Sequence, residues 1–209
     1  MIISFLGDSI TQGVGASDLN KCYVSLVGKM LGCTVHNCGI GGTRIARRRE
    51  YNYHSTDLDF NARVPFLDKK ADYIVVFGGT NDHGHGDASL GDYYGKDVYT
   101  FFGAMRTLIE SLSLEYGKEK LRFILPCRKF DEDAFNPYAE EKLTLKDFVN
   151  AEKKILEEYE IPYLNLYEEW VEAPTSQKDE GYFKDGLHPN DRGHQEIAEK
   201  VCEFLKKNF

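Results

Sequence analysis

Four short blocks of the sequence carry side chains capable of group transfer: Gly7-Asp8-Ser9-Ile10, Asn37-Cys38-Gly39-Ile40-Gly41-Gly42-Thr43, Gly78-Gly79-Thr80-Asn81-Asp82 and Asp185-Gly186-Leu187-His188. Each has an ordinary explanation when taken alone. A serine after a strand caps a helix, glycines make turns, and an asparagine does either. An Asp-x-x-His pair closes a local hydrogen bond in a surface loop. Together, however, the blocks supply a nucleophile (Ser9), a base (His188), an orienting carboxylate (Asp185) and candidate oxyanion donors (Gly42, Asn81). A serine hydroxyl is a weak nucleophile at neutral pH unless a base stands beside it, and the base needs a third group to hold its tautomer. That is the minimum set for acyl transfer. Because the base must be neutral to accept a proton, such an activity should rise with pH as the histidine deprotonates.

The chemistry works only if the fold brings the blocks to one place. Apolar spacing at i, i+3, i+4 and i+7 predicts four core-facing helices. They run through Tyr23, Leu26, Val27 and Met30; through Val98, Phe101, Met105, Leu108 and Leu112; through Leu145, Phe148, Ile155 and Tyr159; and through Ile197, Val201 and Leu205. Thr144 stands three residues before Asp147 in the pattern of a capping box, and Asn190 is the candidate cap of the last helix. Between the helices lie apolar runs at Ile2–Leu6, Tyr73–Phe77, Leu121–Leu125 and Tyr163–Leu166, with a weaker one at Thr34–Asn37. Consecutive apolar residues suit strands covered on both faces, and alternation with helices predicts an α/β, doubly wound parallel sheet of about five strands. Neither a linker nor a repeat divides the chain, so residues 1–209 read as a single domain. Residues 38–71 and 127–143 are too long for plain turns. Each follows a strand, on the edge where open α/β sheets bind ligands.

Composition narrows the field further. With 26 basic and 34 acidic side chains, the net charge of −8 argues against a nucleic-acid partner. A hydrophobic fraction of 42% is too high for a disordered chain, and no apolar run approaches the ~18 residues of a membrane span. The five cysteines are odd in number and lack a C-x-x-C pair, unlike a secreted disulfide framework. The chain opens on its first strand without a basic, cleavable leader, so a cytoplasmic location is expected.

These four blocks, in this order across residues 7 to 188, resemble the GDSL, or SGNH, hydrolase family. The resemblance implies an SGNH-hydrolase, flavodoxin-like fold, with Ser9 as nucleophile and as donor of its own backbone N–H. It further implies Gly42 as a second N–H donor, Asn81 as a side-chain donor, and Asp185 with His188 completing the triad. No metal or cofactor is required. The first block reads Ser-Ile where the family has Ser-Leu, an exchange of one apolar side chain for another. No Gly-x-Ser-x-Gly surrounds Ser9, which separates the chain from hydrolases with a mid-chain nucleophile elbow.

Other residues invite assignment. His83-Gly84-His85-Gly86-Asp87 matches no standard zinc spacing and reads as a flexible loop with histidines at the pocket rim. Arg44, Arg47, Arg48, Arg49 and Glu50 form a basic run, either solvated or contributing one arginine to an anionic substrate group. Asp8, Arg44 and His83 adjoin the blocks and are the candidate substrate contacts. Cys127 reads as a small buried thiol, and His36 and His194 as structural. Trp170, Tyr182 and Phe183 could wall a substrate site or pack the core. The expected function is a serine esterase for short acyl, chiefly acetyl, esters, with an acetylated sugar as favoured small-molecule substrate. A lysophospholipase or thioesterase, an O-acyltransferase on the same triad, and a non-catalytic carbohydrate-binding module are the alternatives. The intact Asp185–His188 pair argues against the last.

Overall fold

The computed structural model describes residues 1–49, 58–136, 138–170, 172–177 and 181–209. Strands β1 (Ile2–Gly7), β2 (Thr34–Gly39), β3 (Tyr73–Phe77), β4 (Leu121–Leu125) and β5 (Tyr163–Asn165) form one parallel sheet in the order β2-β1-β3-β4-β5. This is the α/β, doubly wound arrangement expected from the alternating pattern. β1, β3 and β4 are buried almost throughout, which is why they read as unbroken apolar runs. β2 lies at the sheet edge and is only partly buried, so its sequence signal is weak. It also runs to Gly39, two residues beyond the apolar run.

The helices are α1 (Ser9–Gln12), α2 (Tyr23–Leu31), α3 (Phe60–Arg63), α4 (Thr80–His85), α5 (Phe101–Tyr116), α6 (Leu145–Glu158), α7 (Leu166–Glu169) and α8 (Asp191–Asn208). One apolar cluster gathers α3, α5 and α6 against one face of the sheet through Phe60, Phe101, Met105, Leu108, Phe148 and Ile155. The other gathers α2 and α8 on the opposite face through Tyr23, Val27, Ile197, Val201 and Leu205. Trp170 and Phe183 belong to this second cluster, with rings stacked at 5.1 Å, so they pack the core and do not wall a site.

Local chemistry sets the element ends. Thr144 and Asp147 exchange the reciprocal bonds of a capping box at α6. Asn190 accepts from Arg192 N–H and Gly193 N–H at α8. α5 starts at Phe101, later than its apolar pattern, because Asp97 accepts from Tyr99 N–H and Thr100 Oγ1 donates to the Asp97 carbonyl, holding Val98 in a turn. β5 stops at Asn165, whose side chain accepts from Glu168 N–H and starts α7. The long connection 38–71 contains α3; residues 50–57, Glu50 among them, lie outside the described residues.

The strand order has a functional consequence. From β1 the chain passes outward to β2 and then returns across β1 to β3, so the order reverses between β1 and β3. Ligands in such sheets bind beyond the carboxyl ends of the strands at that reversal. The register places Gly7 opposite both Gly39 and Phe77, so three of the four blocks leave the sheet at one level.

Candidate active site

Ser9 sits at the first position of α1, directly beyond β1. Asp8 caps this short helix, its Oδ1 accepting from Ile10 N–H at 2.9 Å, and Gly13 ends it in the left-handed conformation with φ 102°. Ser9 is 9% exposed. Its Oγ lies 3.0 Å from His188 Nε2, and His188 Nδ1 lies 2.8 Å from Asp185 Oδ2. The same carboxylate turns its Oδ1 to His188 N–H at 2.7 Å and Leu187 N–H at 3.1 Å. Partial burial works against the charge of Asp185, but those amides and the His188 ring hold its carboxyl below the usual range. The loop is pinned by Lys184 N–H donating to the His188 carbonyl and Asn190 N–H to the Tyr182 carbonyl.

The second block folds over α1. A Cβ on Gly39 would fall 2.1 Å from Gln12 N, so only glycine allows the backbone this close. Gly41 N–H donates to Gln12 Oε1 at 2.8 Å, and a Cβ on Gly41 would stand 3.6 Å from Ser9 Cβ. Gly42 has φ 75°. In the third block Asn81 Nδ2 donates to the Thr43 carbonyl at 3.0 Å, which ties α4 to the residue after Gly42. Asp82 accepts from Ile45 N–H at 2.9 Å and Ala46 N–H at 2.8 Å and so fixes the next stretch of the same loop.

The geometry corrects several expectations. Asp8, Arg44 and His83, expected as substrate contacts, are 2%, 2% and 3% exposed and have hydrogen-bond partners within the protein. Arg44 Nη1 meets His85 Nδ1 at 3.2 Å, and the His83 Nε2 position is taken up by the Ala134 carbonyl at 2.9 Å. The stretch around them is the helix α4, not a flexible loop, and its two histidines face different partners. Among the described residues no group of three or more His, Cys, Asp or Glu side chains is arranged to hold a metal. In the basic run, Arg47 pairs with Asp59 at 2.7 Å and Arg49 with Asp97 at 3.5 Å. Cys127 is buried and its thiol is pushed up to about 12 by that burial. His194 is fully buried, its Nδ1 accepting from Tyr23 N–H at 3.3 Å, and His36 lies 3.3 Å from Asp68.

Three buried carboxyls underlie the site. Burial raises Asp8 to about 6 against the Ile10 amide, His188 and Arg63, which favour its charge. Burial raises Asp82 to about 7 despite the Ile45 and Ala46 amides. Burial, with Asp82 and Asp8 nearby, raises Glu152 well above the carboxylate range. Glu152 Oε1 presses on Gly79, where a Cβ would fall 2.0 Å away. Asp82 stands in the third block, but its bonds to Ile45 and Ala46, like the placement of Gln12 and Glu152, carry no signal in the sequence because they depend on distant backbone.

The raised Asp82 carboxyl has a measurable consequence. Between its ordinary value of 3.8 and its folded value of about 7, the folded protein holds a proton the unfolded chain releases, so this group's contribution declines as pH rises through that window. Asp82→Asn removes the titration. Its stability relative to wild type, measured by urea unfolding, is expected to improve between pH 5 and pH 8; a constant difference would contradict this.

A sheet of this order with a serine, a histidine and a carboxylate aligned at its carboxyl edge is the architecture of an acyl-transferring hydrolase. The sequence profile of the GDSL-like lipase/acylhydrolase family matches residues 5–196, and the chain belongs to that family of hydrolases. It is 22% identical over 217 residues to an acetylxylan esterase of Xylanibacter ruminicola, spanning 98% of this chain but only 43% of that relative's length. A solved structure of a Lactobacillus plantarum protein superposes with TM-score 0.80 at 27% identity, covering 99% of this chain and 97% of that one. An acetyl xylan esterase, AlAXEase, superposes with TM-score 0.66 at 22% identity, covering 97% and 98% of the two chains. Among the described residues no helix is long and apolar enough to cross a membrane.

Proposed function

We propose that the chain is a serine esterase that removes short acyl groups, chiefly acetyl, from carbohydrate esters. The observation that carries this reading is the unbroken relay from Ser9 Oγ through His188 to Asp185 at 3.0 and 2.8 Å. Ser9 Oγ attacks the ester carbonyl as His188 Nε2 takes its proton; the Ser9 and Gly42 amides and the Asn81 side chain hold the developing oxyanion. The imidazolium then protonates the leaving alcohol. Water deprotonated by His188 releases the acid and restores Ser9. Asn81 already spends one amide hydrogen on Thr43, leaving the other for the oxyanion. Similarity to two acetylxylan esterases supports acetylated sugar as the substrate class. The free state of all five cysteines supports a reducing, cytoplasmic location, with residues 1–209 acting as one catalytic domain.

One observation favours a second reading, a lipid-directed acylhydrolase. A largely apolar groove of about 440 Å³ runs past Cys38, Ile40, Phe66 and Leu67, beside the glycines of the second block. A chain seated there would gain about 0.8 kcal/mol per buried methylene, so kcat/KM would climb steadily with acyl length. A short-acyl site reaches its optimum between acetyl and butyryl and falls beyond it, which is the expected result. The measurement is kcat/KM for p-nitrophenyl esters of two to twelve carbons, alongside acetate release from acetylated xylo-oligosaccharides. An optimum at eight carbons or longer, without acetate release, would replace the carbohydrate reading by the lipid one.

A further inference from the structure

Arg63 ends α3 and lies 6% exposed beneath the carboxyl edge of the sheet. Its guanidinium is committed to three acceptors. Nη1 donates to the Gly7 carbonyl at 3.0 Å and to Thr43 Oγ1 at 2.9 Å, and Nη2 donates to the Cys38 carbonyl. The Phe60 ring lies 5.2 Å from its carbon, closing the apolar side.

Each acceptor is the root of a different functional group. Gly7 closes β1 two residues before Ser9. Cys38 is the penultimate residue of β2 and leads into Gly39–Gly42. Thr43 follows Gly42, and its carbonyl receives the Asn81 amide. Thr43 Oγ1 in turn donates to the Ile40 carbonyl at 2.7 Å, bracing the turn that contains both glycines. A planar guanidinium reaches several acceptors in fixed geometry, whereas an ammonium on a flexible stem reaches them as a point charge. Burial of a cation is unfavourable without compensating acceptors, and here two strand-end carbonyls and the Thr43 hydroxyl supply three of them. Burial lowers the group to about 10, still above neutrality, so it stays charged during turnover.

We propose that Arg63 is a positioning residue for the oxyanion site, locking the turn after β1 to the Gly39–Thr43 loop so that Ser9, Gly42 and Asn81 converge on one oxygen. Its described hydrogen bonds reach none of Ser9, Asn81 or His188, although its side chain also lines the groove beside Ile40 and Phe66. The role deepens the serine-esterase reading and rests on it. A displacement of about 1 Å among oriented groups is enough to lose about 10²-fold in rate. The loss falls on the transition state, where the oxyanion exists, and not on binding of the ester.

The test compares Arg63→Lys, Arg63→Met and Thr43→Val with wild type on p-nitrophenyl acetate. Each is also challenged with a trifluoromethyl ketone, which forms a tetrahedral adduct on serine. Arg63→Met is expected to lose about 10²-fold in kcat with KM within threefold of wild type, and its affinity for the ketone should fall by a similar factor. Arg63→Lys should recover part of both. Thr43→Val, which removes one arm of the brace, should lose roughly tenfold. Folding is followed by circular dichroism and Tm. If Arg63→Met does not fold, the other two variants decide, and folded variants with kcat and ketone affinity within threefold of wild type would overturn the role. Equal losses in kcat and KM affinity would also overturn it, as a general loosening of the site. A wild-type protein that neither hydrolyses the ester nor binds the ketone overturns the esterase reading itself, a result distinct from unchanged Arg63 variants of an active enzyme.

Discussion

Ser9→Ala is expected to lower kcat for acetyl ester hydrolysis by about 10⁴- to 10⁶-fold, the range lost when a triad nucleophile is removed while oxyanion binding remains. The fold should survive. Ser9 is small, its hydroxyl bonds only to His188 among the hydrogen bonds described, and α1 is capped by Asp8. Tm should therefore stay within a few degrees of wild type. The measurement is steady-state hydrolysis of p-nitrophenyl acetate together with mass spectrometry after treatment with a fluorophosphonate. Wild type should gain one phosphonyl group on Ser9 and the variant none. Retention of more than a hundredth of the wild-type rate would sink the assignment of Ser9 as nucleophile.

Asp185→Asn should have nearly as large an effect, about 10⁴-fold in kcat, for a reason visible in how the two carboxylate oxygens are used. Oδ1 accepts from two backbone amides, His188 N–H and Leu187 N–H, while Oδ2 faces the ring at Nδ1. An asparagine has one acceptor, and the two amides will claim it. Its NH₂ group is then left facing Nδ1, which must become an acceptor. The remaining ring proton moves to Nε2, where the base needs a lone pair for Ser9 Oγ. The imidazole is held in place in the wrong tautomer. KM should change little, because Asp185 touches no substrate. Measuring kcat from pH 5 to 9 separates this from a simple charge effect, since a tautomer fault persists at every pH. A loss below tenfold, or one recovered at high pH, would contradict the assignment.

The parts of the fold visible in the sequence are those governed by local pattern. β1, β3 and β4 announce themselves because both faces are covered, and α6 and α8 because Thr144, Asp147 and Asn190 make bonds within three residues. The faint parts have one face in water or bonds reaching far along the chain. β2 is half-exposed, and the short α1 and α4 are too brief to display a period; α4 reads as a loop in the sequence because Gly84 interrupts it and Gly86 follows it. The basic run reads as solvated or as offering one arginine to a substrate, yet Arg44 is buried and meets His85 of α4, forty-one residues away.

The sequence by itself determined the chemical inventory and its order: a serine after the first strand, glycines after the second, an asparagine after the third and an Asp-x-x-His before the last helix. Local chemistry is enough for that, since capping, turns and strand ends are set within a few residues. Only the tertiary structure decided that these groups meet. A parallel sheet with its order reversing between β1 and β3 carries residues 9 and 188 to within 3.0 Å and sets the glycine loop against Ser9. It also selected the supporting residues, Gln12, Arg63, Asp82 and Glu152, and buried Asp8, Arg44 and His83. Burial and long-range hydrogen bonding set those roles, and both are properties of the packed chain that no spacing along the sequence encodes.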